Sequence, residues 1–452
     1  MAKRGASRNR FAELFAALAF VIFVAQPYSA FAQQQPNADQ RYQDTFEAMM
    51  AEPADAERSF NFAQAASAAG DFRGAIAALE RILQVNPSLA NIQLELGVLY
   101  LRVGASDLAA SYLRRALLAP DVPDAVRDRA QSILARAERS RQKHFVTGSV
   151  YAGARYDSNA NAGPESRAVR VLGIDGLLDE GSTGRNDFSG ELVGALSYTY
   201  ALDSQAGHEI EANFLTYNRR YDESSEININ SLGFDVGPRF YFGPLLEPTL
   251  SVRPFVSASY IFLDDEGYLR QAGGGVNVRQ FFGPASFVEG AIEASDQKFF
   301  NSEERAATSL RSGPFVEGRS NFAWQFLPAT RLFGGLSIGR RDSEADFEAF
   351  NEGAARIGVT QVYPPPFGLT AYSWSTSLSA GIRRTVYDEA DPLIDPTTKR
   401  QDSRADVILS NNIRMTRELT LVVSLQYTDN DSSLPNFEYD NKGASVGIAY
   451  SF

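Results

Sequence analysis

A chain of 452 residues with a formal charge of −12 has room for two or three domains and the wrong sign for nucleic acid, whose affinity rests on cationic contacts. It holds no cysteine and two histidines, His144 and His208. Disulfides, thiolate chemistry and cysteine-type zinc sites are thereby excluded, and a histidine-rich metal centre and any cofactor are not expected.

The first predicted element is a secretory signal peptide, residues 1–32. Residues 11–24 are apolar, follow Lys3, Arg4, Arg8 and Arg10, and lead to the small-x-small site Ala30-Phe31-Ala32, which places cleavage before Gln33. No later run is apolar enough for a spanning helix. Residues 33–54, polar and containing Gln, Ala and Pro, read as a flexible or marginally helical lead-in.

From about residue 55 to 143 the period is helical and Ala and Leu dominate. The block repeats itself at an offset of 34: Phe62-Ala63-x-x-Ala66 precedes Leu96-Gly97-x-x-Tyr100, Gly70 precedes Gly104, Ala75 precedes Ala109, and Leu79 precedes Leu113. Pro87 stands where a repeat should end. Period and pattern resemble the tetratricopeptide repeat, with two repeats (55–89 and 90–123) and a closing amphipathic helix over 126–142. The groove of such a stack could hold a client peptide. Phe62, Tyr100 and Arg102 are the candidate liners, although Phe62 and Tyr100 also suit the repeat core.

From residue 144 to the end the chain becomes Gly-, Ser-, Tyr- and Phe-rich and alternates with period 2. In the last ten residues Ala444, Val446, Ile448, Tyr450 and Phe452 are apolar, and the residues between them are small or polar. Phe188, Leu192, Leu196, Tyr198 and Tyr200 oppose Ser189, Glu191, Ser197 and Thr199 in the same way. Strands of this kind, apolar on one face and wet on the other, build a transmembrane β-barrel. Fourteen can be cut, so the predicted architecture is α + β multidomain: helical repeats followed by a 14-stranded antiparallel barrel over 144–452. The terminal Phe452 resembles the signature by which outer-membrane barrels are inserted, which would make the barrel-assembly machinery a partner alongside outer-membrane lipid and lipopolysaccharide.

The connections are expected to alternate, long and acidic after odd strands (159–186 the longest, 264–267 among them), short after even ones (364–367 among them). Aromatics at 240–242, Trp324/Phe326, Tyr217/Tyr221 and Tyr260/Phe262 are expected at the membrane interfaces. The face opposite the apolar one carries charges and is expected to line the lumen. Its candidates are Arg155, Glu191, Asp235, Arg239, Arg253, Asn277, Arg279, Glu289, Glu293, Glu317 and Arg319.

Catalysis finds little support. His208 with Ser251 or Ser257 has no spacing that enforces contact. Glu289 and Glu293 share a strand face, but no substrate cleft is implied. Asp157, Asn159 and Asn161 are spaced like the opening ligands of a calcium loop, yet Ala162 and Ala168 occupy the positions that need Gly and an acid, so Asx turns are the better reading.

The order of parts, with the first strand Gly148-Ser-Val-Tyr-Ala-Gly153 running into Tyr156, Asp157, Ser158, Asn159, x and Asn161, resembles the surface lipoprotein assembly modifier family across nearly the whole mature chain. The resemblance implies an outer-membrane translocator that delivers lipoproteins or secreted proteins to the cell surface, its periplasmic repeats receiving the protein client. An exopolysaccharide export channel and a general porin are the alternative readings.

Overall fold

The computed structural model describes residues 38–452 apart from 54, 120–121, 123, 140–142, 180–181, 203, 205–206, 244–248 and 284. The expected signal peptide lies outside the described residues. The chain forms two compact units, one built mainly from residues up to 144 and one from the remainder.

The first unit contains six described helices: α1 Ala38–Ala51, α2 Ala56–Ala68, α3 Phe72–Val85, α4 Ala90–Arg102, α5 Ser106–Leu118 and α6 Asp124–Arg139. Asp55 starts α2 by accepting hydrogen bonds from the backbone N–H groups of Glu57 and Arg58, and Asp71 starts α3 by accepting one from Gly74 at 2.9 Å. These side chains satisfy donors that a helix start leaves open. The offset of 34 has a backbone cause. Gly70 and Gly104 both take left-handed φ, +85° and +81°, ending α2 and α4 so that the next helix folds back.

Leu79, Leu96 and Leu113 fill the core. A Cβ on Gly97 would stand 2.5 Å from Leu113 Cγ, so glycine permits the close approach of α4 and α5. Of the two readings of the lead-in, the helical one holds over Ala38–Ala51. Met49 of α1 is buried in the same core, and Tyr42 and Phe46 pack on Phe62 at ring separations of 5.4 Å. The apolar residues of α1 recur at helical spacing and cover a face of α2 that would otherwise be wet.

The second unit is a closed barrel of fourteen antiparallel strands in which consecutive strands are neighbours and the last closes on the first. The strands are β1 His144–Asp157, β4 Asp187–Ala201, β5 Glu209–Tyr221, β6 Ile229–Phe242, β7 Leu250–Leu263, β8 Glu266–Phe281, β9 Phe287–Phe299, β10 Gly313–Leu327, β11 Thr330–Arg341, β12 Phe350–Tyr363, β13 Trp374–Ala390, β14 Lys399–Arg414, β15 Leu419–Ser432 and β16 Tyr439–Ser451. First and last strands meet from Ser149↔Ser451 to Asp157↔Gly443. Chain entry and exit therefore share one rim, the terminal rim; the other is the loop rim.

Phe188, Leu192, Leu196, Phe234, Val256, Leu336, Ile357, Leu378, Leu425 and Ile448 are all exposed. Alternation puts them on the outer face of the closed sheet, a continuous apolar band that requires lipid rather than water around it.

Several local expectations are overturned. The long first connection contains a small hairpin, β2 Ala168–Val171 and β3 Ile174–Leu177. The connection from β7 to β8 is a two-residue turn in which Asp264 and Asp265 take φ of 52° and 59°, as a type I′ hairpin requires and aspartate tolerates. The connection from β12 to β13 extends over 364–373, with Phe367 and Gly368 at positive φ, so long and short connections do not strictly alternate. Tyr217 and Tyr241 face inward and donate to Glu191 and Glu209, because their hydroxyls find carboxylates inside. Trp324 and Phe326 do stand on the outer face, 5.5 Å apart edge to face.

Candidate functional site

All eleven candidate residues fall on the inward face, and the register explains what each one meets. Near the terminal rim, β5 brings Glu211 between Arg239 of β6 and Arg253 of β7. Arg239 donates from Nε and Nη2 to the two Glu211 oxygens at 2.5 and 2.8 Å. Arg253 Nε lies 2.9 Å from Glu211 Oε2, off the hydrogen-bond direction, and its Nη2 bonds Asp235. Arg239 Nη1 also reaches Ser251 Oγ at 3.1 Å and Asn277 Oδ1 at 3.4 Å.

Farther round the sheet, Arg279 donates to Glu289 at 2.6 Å, and Arg319 contacts Glu317 at 3.1 Å and Glu293 at 3.4 Å. Glu293 also accepts from Ser257 Oγ at 2.6 Å. Glu289 and Glu293 are thus separate ion-pair acceptors rather than a carboxylate couple, and Ser251 and Ser257 are both engaged. Among the described residues there is no group of three or more His, Cys, Asp or Glu side chains able to hold a metal ion.

Near the loop rim the charges converge on Asp157, which is almost wholly buried. Arg155 clamps it bidentately, both bonds at 2.9 Å, Arg219 donates to Oδ2, and Asn441 Nδ2 donates to Oδ1 at 2.7 Å. A buried carboxylate is stable only when its lone pairs are filled in this way. The same site holds Glu191, which accepts from Tyr217 Oη at 3.3 Å. A cavity of about 370 Å³ opens beside it, lined in part by Arg404 and Gln426.

The turn at 156–161 tethers a loop. Asn159 N donates to Asn441 Oδ1, and its side chain both donates to Gly163 O at 2.8 Å and accepts from Gly163 N at 3.0 Å. Asn161 bridges Thr183 O and Arg185 N. The asparagines are Asx clasps, as their spacing allowed. Tyr156 points out and packs on Phe188, and Ser158 accepts from Lys442 N.

Beyond the turn the β2–β3 hairpin docks on two neighbouring connections. Asn436 pairs with both backbone groups of Arg170, and Leu172 N and Gly173 N donate to Leu393 O and Ile394 O. Asp395, 1% exposed, accepts from Thr397 and Arg170. The Thr397 hydrogen bonds, helped by Thr398 and the Arg170 charge, hold its carboxyl down at about 2.

The three helical candidates are internal braces. Phe62 is 4% exposed in the α1–α2 core. Tyr100 donates to Glu80 at 2.5 Å and stacks on Tyr112, while Arg102 donates to Ser67 and lies over the Phe72 ring. Their helical positions face packed neighbours, so a groove is not lined by Phe62.

Residues that the sequence reading passed over are Glu209, Glu211, Arg219, Arg356, Arg383, Arg404 and Asp406. Each occupies an inward position by the alternation of its own strand, Glu209 directly opposite Arg239, so extending the alternation along β5 and into β12–β14 would have found them.

The family model for the surface lipoprotein assembly modifier matches residues 147–452. No curated protein matches the chain. Among solved structures, an anion-selective porin from Comamonas acidovorans is similar at 13% identity and a TM-score of 0.35, over 68% of this chain and 99% of that one. The outer-membrane channel DcaP of Acinetobacter baumannii is similar at 10% identity and a TM-score of 0.38, over 68% and 97%. The Yersinia enterocolitica type III secretion chaperone SycD, in complex with a peptide of the translocator YopD, is similar at 15% identity and a TM-score of 0.23, over 29% and 96%.

Proposed function

The chain belongs to the surface lipoprotein assembly modifier family, and from that premise we propose that its barrel is the conduit by which lipoproteins or secreted proteins reach the cell surface. Family and fold are of non-enzymatic kinds, and the apolar band of the barrel meets outer-membrane lipid and lipopolysaccharide. In this reading the signal peptide sends the chain to the periplasm and the barrel-assembly machinery inserts it. The helical repeats stay in the periplasm and receive the client.

The observation that carries the reading is the extent of the family match, which runs from the first barrel strand to the last. The interior is consistent with passage, since a barrel of this size lies between the filled eight-stranded and the open sixteen-stranded forms. A cavity of about 890 Å³ adjoins Asn213, Asp235, Glu293 and Arg319.

Deletion followed by surface proteomics tests it. Specific lipoproteins or secreted proteins should disappear from the outside of the cell and return when the gene is restored. Persistence of those proteins, with loss of a surface polysaccharide or of small-solute uptake instead, would replace the reading by polysaccharide export or a general porin.

A further inference from the structure

The inward arginines differ in how fully acids cover them, and Arg319 on β10 is itself 41% exposed beside Glu317 and Glu293. On β6 and β7 they are sealed by acids: Arg239 and Arg253 keep 9% and 7% of their side-chain surface, with carboxylate oxygens within 2.9 Å. On β12–β14 they are not. Arg383 keeps 55% of its surface, and its one acidic neighbour, Glu352, is 3.8 Å away. Arg356 is exposed, with no hydrogen bond or close ion pair among the described residues, and its charge acts on Asp406. Arg404 is held by Asp406 at 2.9 Å yet remains 38% exposed.

These three side chains share one stretch of wall. Arg383 lies directly opposite Arg404 in the β13–β14 register, and Arg356 lies opposite Gly381, two residues before Arg383. Like charges directly across a sheet repel. The surrounding inward positions are small: Gly335, Ala354, Gly358 and Ser379. A Cβ at Gly381 would come within 3.3 Å of Arg356 Nε, so the guanidinium arm lies along the bare backbone there. An inward side chain that stays exposed within a closed barrel also marks open space in front of it.

We propose that Arg356, Arg383 and Arg404 form an oxyanion-binding site on the lumen wall, suited to phosphate-class groups on whatever passes the barrel. Adjacent strands are roughly 4.8 Å apart, so guanidinium forks from three neighbouring strands converge on one multi-oxygen anion. Guanidinium matches phosphate and carboxylate bidentately, and three forks need more oxygens than a single carboxylate has. Arg404 also borders the cavity beside Asp157 and Glu191. Glu352, Asp406 and Asp402, the last paired with Arg400 at 2.7 Å, are the acids on this wall. They offset part of the charge and leave a net positive patch, which would supply both attraction and release. The site does not depend on client delivery: the deletion experiment can fail while oxyanion binding stands.

The test is calorimetric titration of the detergent-purified full chain with inorganic tripolyphosphate, using the unmodified protein, Arg356→Gln/Arg383→Gln, and Arg384→Gln. Arg384 neighbours Arg383 in sequence but points outward and bonds Ser403 and Gln401. Saturable binding is expected for the unmodified chain, weakened about tenfold or more in the double variant, as loss of charge-assisted hydrogen bonds implies, and unchanged in Arg384→Gln. Failure of the unmodified chain to bind, equal binding by the double variant, or equal weakening in Arg384→Gln each overturns the site. Retained heat-modifiable migration on gels confirms that the double variant is folded. Arg356→Lys/Arg383→Lys serves as a second variant, expected to bind with intermediate strength because charge survives and the fork does not.

Discussion

The helical unit and the barrel solve the same problem with opposite polarity. In the helices, Leu79, Leu96 and Leu113 are sealed inside and the caps and ion pairs face out. In the barrel, Phe188, Leu192 and Val256 face out, while Arg239, Glu211 and Asp157 are sealed within. What differs is the medium at the surface: water rewards a polar exterior, lipid an apolar one. A charged residue therefore belongs to the periphery of one unit and to the heart of the other. The lesson is that burial alone does not tell which side chains hold a fold together.

That contrast can be broken most forcefully at the barrel's interior. Asp157→Ala leaves Arg155 and Arg219 without their shared acid. Breaking a buried pair costs about 3–5 kcal/mol, so the folded, heat-modifiable band on gels should be lost at a distinctly lower temperature. In the helical unit the matching injury is apolar. Leu113→Ala opens a cavity worth about 2–5 kcal/mol, seen as earlier loss of helical circular dichroism with the barrel band unaffected.

Reversing the outer face is the next largest perturbation. Val256→Arg, at mid-strand, should cost about 2–4 kcal/mol against lipid, while Arg129→Val on the helical surface, a partly exposed pair with Glu95, should change stability by less than about 1 kcal/mol. Similar losses in both would dissolve the comparison. At the repeat turns, Gly70→Ala or Gly104→Ala forces a side chain into left-handed backbone and should cost about 1 kcal/mol.

The smallest effect concerns acid. Asp395 has its carboxyl lowered to about 2, from an ordinary value near 4. A lowered folded-state value means that the contribution is complete above about pH 4 and fades only as pH falls through about 2. Hydrogen exchange at Leu172 and Gly173, whose N–H groups bond the Leu393–Ile394 segment, should stay slow at pH 3 and quicken towards pH 2. The Asp395→Asn chain should show the quicker exchange at every pH.

The part of this architecture legible in sequence was the part encoded by period. Spacing of 34 placed Gly70 and Gly104, and spacing of two put Glu191, Arg239 and Arg319 on one face. Partnership was not legible. Asp157 meets Arg219 and Asn441, 62 and 284 positions away, and only the register across closed strands brings them together. The β2–β3 hairpin was hidden for a related reason, since four-residue strands are too short to show a period. Phe62 was ambiguous because a groove and a core ask for the same apolar residue. Its burial was decided by α1, whose Tyr42 and Phe46 pack on it.

The seam between β1 and β16 has a consequence for how the molecule comes into being. Gly148 and Phe452 exchange their backbone hydrogen bonds across this seam, so the ring closes only when the final strand arrives. Until then both outermost strands carry bare amide and carbonyl rows, an invitation to mispair or aggregate. Those ragged margins stay bare until the two ends zip together, before any chemistry inside the cylinder begins.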